Sequence, residues 1–365
     1  MTLLHPDRSY RLFGAEALLK RLQALTVEIE GVKKAEDIEY IHRMRVASRR
    51  TRAALAMFGA CFSTKKLADW ESQVKRITRA LGSARDTDVQ IDYVRSFLER
   101  PAAPSPSPGL DQPFDSAQGT ADRWLSEAEA RGIRRLLLRL TQRRTRLQSA
   151  VLKSIAQLEK CGVVQDMEET LRGVLVQARL DKVPPRSQFL YMQASRTIML
   201  RLEELLAYDT YVRQPECVTQ LHEMRIAAKH LRYTMEIFES LYDGGLKKPL
   251  KTVRDTQEML GDIHDCDVWV AELPRFLDAE TRRTEEFYGS RRTMKGVVTG
   301  IEALQQERQS HRDETYARFT AFWDETDREL IWDGLREVLQ ASVECNLDEP
   351  TEDQLETTCE DSADG

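Results

Sequence analysis

The amino-acid sequence predicts an all-α protein, and three observations support this prediction. The chain of 365 residues contains only 17 glycines and 12 prolines, whereas leucine, alanine, glutamate, arginine and glutamine are abundant, which favours helices over strands. Apolar residues recur with helical spacing over long stretches. A pattern of cationic and apolar positions occurs twice, about 180 residues apart, which indicates an internal repeat.

The first repeat is predicted over residues 1–180. Asp37 is a favourable N-cap residue for the second helix, and Gly162 is expected to interrupt the last one. The Pro- and Ser-rich stretch PAAPSPSPGLDQPFDSAQG is typical of a flexible linker, at about residues 100–120. Helices are predicted at 8–30, 38–62, 64–99 and 121–179.

The second repeat is predicted over residues 184–343, after a boundary at DKVPPR, where two prolines cannot continue a helix. Helices are expected at 186–211, 216–241, 246–279 and 281–343, the last one interrupted. Residues 344–365 hold nine acidic side chains and no Lys or Arg, which predicts a disordered, solubilising tail. Removing these nine charges from the net charge of −6 leaves +3, so local basic surfaces indicate a specific anion site.

Two predicted helices carry the same stripe of cationic residues, within HRMRVASRRTR and HEMRIAAKHLR. In both, cations stand 3, 7 and 10 positions after a histidine. With about 100° of rotation per residue, these positions span an arc about 80° wide on one side of a helix. The members are His42, Arg45, Arg49 and Arg52 in the first stripe and His222, Arg225, Lys229 and Arg232 in the second.

The opposite side of each helix is apolar, so each helix is expected to bury one side in a bundle and to turn its cations to a groove, a pore or solvent. The apolar positions are Ile41, Met44, Ser48, Thr51, Leu55 and Phe58 in the first helix and Leu221, Met224, Ala228, Leu231, Met235 and Phe238 in the second. An arginine stripe is usually a solvated face with glutamate partners. Here no Glu or Asp occupies 42–58, and Glu223 and Glu236 lie off the arc of the second stripe, which favours anion binding.

A second motif follows each stripe. LGSARDTDV starts 39 residues after His42, and LGDIHDCDVW starts 38 residues after His222. Together, HxMRVAxRRxR with LGxxRDxDV and HxMRIAxKxLRY with LGxxxDxDV resemble the CHAD family, the conserved-histidine α-helical domain, over roughly residues 8–343. The resemblance implies two four-helix bundles related by a pseudo-twofold axis, which form one domain with a basic central cleft that binds inorganic polyphosphate.

The predicted site combines both stripes with further cations at matching places in the repeats. Arginine forks and lysine point charges suit phosphate oxygens, and Lys75 and Arg254 both stand six residues before the LG pair. Asp86, Asp88, Asp265 and Asp267 should repel phosphate, so they are predicted to hold nearby arginines in position. The predicted polyphosphate-binding residues are His42, Arg45, Arg49, Arg50, Arg52, Lys75, Arg79, His222, Arg225, Lys229, Arg232 and Arg254.

Two further features leave their roles open. The sequence does not decide whether Arg85 belongs to the anion site, because the residue in its place in the second motif is a histidine, His264. A row of arginines between the linker and Gly162 has no clean counterpart and is a candidate rim of the site. This row consists of Arg134, Arg135, Arg139, Arg143, Arg144 and Arg146.

Two other functions compete with polyphosphate binding. His222 with His264, Asp265 and Asp267 resembles fragments of an HD-type metal phosphohydrolase, but Arg85 replaces His264 in the first repeat and neighbouring arginines oppose a metal. A nucleic-acid binder would use the cations, but exposed aromatics and Asn or Gln base readers are lacking. The sequence therefore predicts a non-catalytic protein without metal or cofactor, and it specifies no oligomeric state.

The expected location is the cytoplasm, in association with polyphosphate granules. No run of 18 or more apolar residues predicts a membrane span, and the start MTLLHPDRSYRLF lacks the apolar core of a signal peptide. The six cysteines form no CxxC pair, so reduced thiols are expected.

Overall fold

The described residues of a computed structural model, 6–35, 37–99 and 125–345, form α-helices joined by short turns, without a β-strand. The prediction of an all-α protein is confirmed. The helices are α1 (Arg8–Thr26), α2 (Ile29–Lys34), α3 (Ile38–Phe58), α4 (Thr64–Leu98), α5 (Glu127–Lys160), α6 (Val163–Leu180), α7 (Gln188–Leu206), α8 (Val218–Phe238), α9 (Lys247–Tyr288), α10 (Lys295–Arg328) and α11 (Ile331–Cys345). The predicted linker and nearly all of the acidic tail lie outside the described residues.

Several helix ends follow local sequence signals. The Asp37 carboxylate accepts a hydrogen bond from the Glu39 amide at 2.8 Å and caps α3. Ser126 and Glu129 form a reciprocal capping box at the start of α5. Gly162 has a φ of 71°, which few other residues adopt without strain, and it separates α5 from α6 as predicted.

Two predicted helices have different bounds. The helix expected to end at 279 continues through Pro274 to Tyr288, so the stretch 281–343 contains the end of α9, then α10 and α11. Proline removes one helical hydrogen bond, but Trp269 and Leu273 on the preceding turn are buried, and their packing offsets that loss. The first predicted helix is also interrupted, after Thr26.

The apolar faces predicted for α3 and α8 are confirmed, since all twelve of their residues are buried. The two helices contact each other, and the rings of Phe58 and Phe238 meet edge to face with centroids 6.0 Å apart. The cationic side of each helix is thereby turned away from the core.

Two hydrophobic cores organise the molecule, and each contains residues from both sides of the predicted boundary at 180–184. The larger core extends from Tyr10 to Leu339. The smaller core lies among the distal parts of α4, α5, α9 and α10, with Ile133 and Ile301 at its centre. The division into two repeats stays a prediction, and the shared cores show that the two halves of the chain are packed against each other.

Helices α5 and α10 cross in backbone contact. A Cβ atom on Gly300 would lie 2.3 Å from the Glu129 carbonyl oxygen, and one on Gly132 would lie 2.6 Å from the Gly296 carbonyl oxygen. Only glycine permits this approach at both positions. The crossing fixes the distal ends of the two halves relative to each other.

Candidate anion-binding cleft

The cationic stripes of α3 and α8 converge on one tyrosine. The guanidinium carbon of Arg232 lies 5.1 Å from the centroid of the Tyr233 ring, and that of Arg49 lies 5.9 Å from the same centroid. Tyr233 is buried, so its ring provides a fixed surface against which both guanidinium groups rest. We define the central cleft by the residues Arg45, Arg49 and Arg52 of α3 and Arg225, Lys229 and Arg232 of α8.

The cleft cations act on one another electrostatically. Burial lowers the pKa of Lys229, and the neighbouring charges of Arg49, Arg225, Arg45 and Arg52 lower it further, to about 8. Burial is also the main cause of the lowered pKa values of Arg49 and Arg225. Charges from α3 and α8 therefore share one partly desolvated space, in which an anion would be strongly attracted.

Most of these cations form no ion pair with a described residue. Among the described residues, Arg49, Arg52, Arg225 and Lys229 make no ion pair, and the Nε atom of Arg225 is buried without a hydrogen-bond partner. Two members are paired. Arg45 donates to Asp86 at 2.9 Å, and Arg232 lies 3.8 Å from Glu236. A solvated helix face with glutamate partners therefore does not describe the cleft.

The two stripe histidines are held in different ways. The Nδ1 atoms of His222 and His264 are 3.0 Å apart, so one ring donates a hydrogen bond and the other accepts it. Burial, Arg225 and His222 lower the pKa of His264 to about 4. Burial and then Arg85 lower the pKa of His42, whose Nδ1 atom is buried without a partner in the described structure. In the unliganded protein these histidines are therefore neutral hydrogen-bonding groups near neutral pH.

Asp86 and Asp265, which occupy matching places in the two LG motifs, each face a stripe arginine. Asp86 accepts the hydrogen bond from Arg45. Asp265 interacts electrostatically with Arg225 and partly offsets the burial that lowers the pKa of that arginine. These positions are consistent with the predicted role of holding arginines in place.

Asp88 and Asp267, the last aspartates of the two motifs, instead bind arginines that the sequence did not mark for this role. Asp88 accepts from Arg144 of α5 at 2.7 Å, and Asp267 accepts from Arg312 of α10 at 2.5 Å. A signal was present, because each arginine stands twelve residues after a glycine in the repeated pattern GIxxL, at Gly132 and Gly300. Tyr233 was also missed, because a buried aromatic residue at a helical position gives no sequence signal for contact with cations.

Three predicted site residues line a different cavity. His42, Arg50 and Arg254 border a cavity of about 930 Å³ between α1, α3, α8 and α9, where Arg50 binds Glu236 at 2.9 Å. Lys75 and Arg79 are exposed on α4 and form no ion pair with any described residue. The structure thus gathers the six arginine and lysine members of the stripes, while His42, Arg50 and Arg254 border the other cavity and Lys75 and Arg79 lie on α4.

The arrangement around His222 gives little support to a metal centre. Asp267 is occupied by Arg312, which also donates to the Pro215 carbonyl at 2.7 Å. Over the described ranges, no group of three or more His, Cys, Asp or Glu side chains is placed to hold a metal ion. Over the same ranges, no helix has the length and apolar character needed to cross a bilayer.

This all-α architecture has solved relatives. The structure of the CHAD domain from the plant Ricinus communis is 19% identical, matches 91% of each chain and has a TM-score of 0.53. PptA from Streptomyces chartreusis is 12% identical, over 87% of this chain and 99% of that chain, with a TM-score of 0.54. At these identities the likeness shows the fold.

The sequence itself identifies the family. The family model of the CHAD domain matches residues 16–274, and the protein belongs to the CHAD family. No curated protein matches the chain. The CHAD domain is generally a binding domain, and membership supports a role related to polyphosphate.

Proposed function

We propose that the protein binds inorganic polyphosphate in the central cleft without chemically changing it. The observation that carries this proposal is the convergence of cations from α3 and α8, four of which form no ion pair among the described residues. Such a group of charges is unfavourable until an anion enters, because burial and mutual repulsion both oppose the charged state. Binding a polyanion would relieve that repulsion.

The chemistry of the cleft suits a chain of phosphates. Phosphate oxygens accept charge-assisted hydrogen bonds from arginine, and the unpartnered Nε of Arg225 is one donor available to them. Asp86 holds the Arg45 guanidinium, and Tyr233 supports those of Arg49 and Arg232, which reduces the side-chain entropy lost on binding. Repeated charges along two helices match repeated charges along an unbranched polymer.

The remaining predicted residues extend the proposal outward. His42, Arg50 and Arg254 would contact a polymer that reaches the cavity behind α3, and Lys75 and Arg79 would contact one that follows α4. Association with polyphosphate granules in the cytoplasm is the setting that we propose. Nucleic acid is a poorer fit, because Tyr233 is buried and cannot stack on a base.

A salt titration with three ligands tests the proposal. Long polyphosphate, single-stranded DNA and duplex DNA are titrated in parallel at several salt concentrations. We expect polyphosphate to bind most tightly, with a logarithm of affinity that falls steeply and linearly with the logarithm of salt concentration. Equal affinity for all three ligands would show a generic cationic surface instead of a polyphosphate site.

Lys229 predicts how the affinity depends on pH. Its pKa in the free protein is about 8, and bound phosphate would favour the charged form and raise that pKa. Binding therefore takes up a proton above pH 8, so the affinity for polyphosphate should fall as the pH rises through about 8 towards 10. Calorimetry in buffers of different ionisation enthalpy would detect this proton uptake.

Lys229→Arg is the matched control for the pH prediction. Arginine remains charged throughout this range. The variant should therefore bind polyphosphate at pH 9 almost as well as at pH 7. A wild-type affinity that is constant between pH 7 and 10 would contradict the role of Lys229.

A further inference from the structure

A second basic cavity lies in the distal part of the molecule, and no residue of the central cleft lines it. This cavity of about 380 Å³ is bounded by α4, α5 and α9. Its floor is apolar and includes Leu140, Trp269 and Phe276. Four arginines border it, namely Arg139, Arg143, Arg146 and Arg283. Three of them belong to α5, in the arginine row that the cleft does not use.

The four arginines fall into two pairs. Arg139 and Arg283 bind the fully buried carboxylate of Glu280, at 2.7 Å and 2.5 Å, and are therefore fixed in place. Arg143 and Arg146 are exposed and pair with no carboxylate in the described structure. The lining contains one carboxylate, Glu272, against the four guanidinium groups. The cavity thus presents a positive rim, half of it fixed, above an apolar floor.

The other half of the chain shows how the corresponding space is filled. The Asp88–Arg144 and Asp267–Arg312 pairs show which positions of α5 and α10 are equivalent. By this alignment Arg308 is the equivalent of Leu140, and Glu307 is the equivalent of Arg139. Arg308 is buried there. Its planar guanidinium lies 3.9 Å from the centroid of the Tyr93 ring, and its Nε atom lies 2.7 Å from Glu307.

Leu140 is too short to fill the space that Arg308 fills, and the arginines at 139, 143 and 146 stand where the other half has Glu307, His311 and Glu314. One copy is therefore closed by a planar cation of the protein itself. The equivalent cavity beside Leu140 stays open, and its arginine rim favours anions.

We propose that this cavity binds a small organic phosphate with a planar apolar group, of the class of nucleoside di- and triphosphates. Arg139 and Arg283 share the charge of Glu280, but Arg143 and Arg146 are unpaired among the described residues, which favours a head with at least two negative charges. The apolar floor beside Trp269 and Phe276 favours a flat ring over a bare phosphate chain. Gln90 and Glu272 border the same floor and contact each other only at 3.5 Å, so their polar groups are available to the edge of a base.

Calorimetry with ATP, tripolyphosphate and adenosine tests this proposal, without added divalent cations and in the variant Arg49→Glu with Lys229→Glu, in which the proposed polyphosphate site of the cleft is disabled. ATP should bind with one site per chain, and tripolyphosphate and adenosine should each bind about tenfold more weakly or worse, because each offers only half of the recognised chemistry. Absence of ATP binding at millimolar concentration would overturn the proposal. So would tripolyphosphate binding as tight as that of ATP.

Variants locate the site. Arg143→Glu with Arg146→Glu should weaken ATP at least about tenfold, since each replaced arginine turns a charge-assisted contact into repulsion. Ala279→Trp, which fills the cavity from its wall, should weaken ATP similarly without changing any charge. Arg131→Glu with Lys153→Glu changes the charge of α5 by the same amount at exposed positions outside the cavity, and should leave ATP affinity within about twofold.

Arg49→Glu with Lys229→Glu separates this site from the proposed polyphosphate site. The cleft variant should keep its affinity for ATP, whatever happens to polyphosphate binding. Suppose that ATP binding is lost in this variant and retained in Arg143→Glu with Arg146→Glu. That result would place the nucleotide in the central cleft and overturn the proposal.

Discussion

Arg49→Glu combined with Lys229→Glu is expected to reduce the affinity for polyphosphate by at least about a thousandfold, because two charge-assisted contacts of roughly 2 kcal/mol each are lost. The reversals act on both sides of the cleft, one on α3 and one on α8. Repulsion between the new carboxylates and phosphate adds to the loss. The new carboxylates would also neutralise Arg45 and Arg225, which lie close to both positions.

The fold should tolerate this double change. Both positions carry unpaired cations next to other cations, so a carboxylate relieves repulsion there. Circular dichroism and thermal unfolding should therefore match the unmodified protein. Arg131→Glu with Lys153→Glu is the control for net charge, since it reverses two exposed cations on α5 and should retain binding within about threefold at moderate salt. Binding by the cleft variant within tenfold of the unmodified protein would place the polyphosphate site elsewhere.

The helices and their buried faces could be predicted because both depend on local information. The spacing of Ile41, Met44 and Leu55 determines which side of α3 is apolar wherever that helix packs. The cationic stripe is then on the other side by geometry. The same reasoning applied to α8 predicted both surfaces of the cleft.

Contacts between distant segments could not be predicted in this way. Arg49 and Arg232 meet at one tyrosine because of the way α3 packs against α8. The sequence of neither helix alone specifies that packing. Likewise, Arg50 belongs to the same run of arginines as Arg49 but lies one residue further round the helix, which turns it towards Glu236 and a different cavity. The continuation of α9 beyond 279 likewise involves a distant segment, because Arg135 of α5 donates hydrogen bonds to the buried side chains of Glu280 and Thr284.

The LG motif illustrates both cases. Its aspartates were predicted to hold nearby arginines in position, and Asp86, Asp88 and Asp267 each accept a hydrogen bond from an arginine. The partner of Asp86 is the stripe residue Arg45. The partners of Asp88 and Asp267 come from α5 and α10, which lie 56 and 45 residues later in the chain. The last aspartate of each motif therefore connects the motif to the helix that follows.

Arg312→Ala is expected to lower the free energy of unfolding by about 3–5 kcal/mol, the cost of removing one partner from a buried ion pair. The Arg312 side chain is 8% exposed, and it binds both the Asp267 carboxylate and the Pro215 carbonyl. Its removal leaves a charge and a carbonyl oxygen without partners between α9 and α10. Denaturant unfolding measures the loss.

Two further variants separate the ion pair from a general effect of losing an arginine. Arg318→Ala removes an exposed arginine from the same helix and should cost no more than about 0.5 kcal/mol. Asp267→Leu with Arg312→Met replaces both charges by apolar groups and should recover much of the stability, though not all, because the Pro215 carbonyl remains unpaired. Equal stability of Arg312→Ala and Arg318→Ala would contradict the buried pair. Asp267 stands two residues after Asp265, which faces Arg225. The ion pair between Asp267 and Arg312 therefore also positions the wall of the cleft, in addition to stabilising the fold.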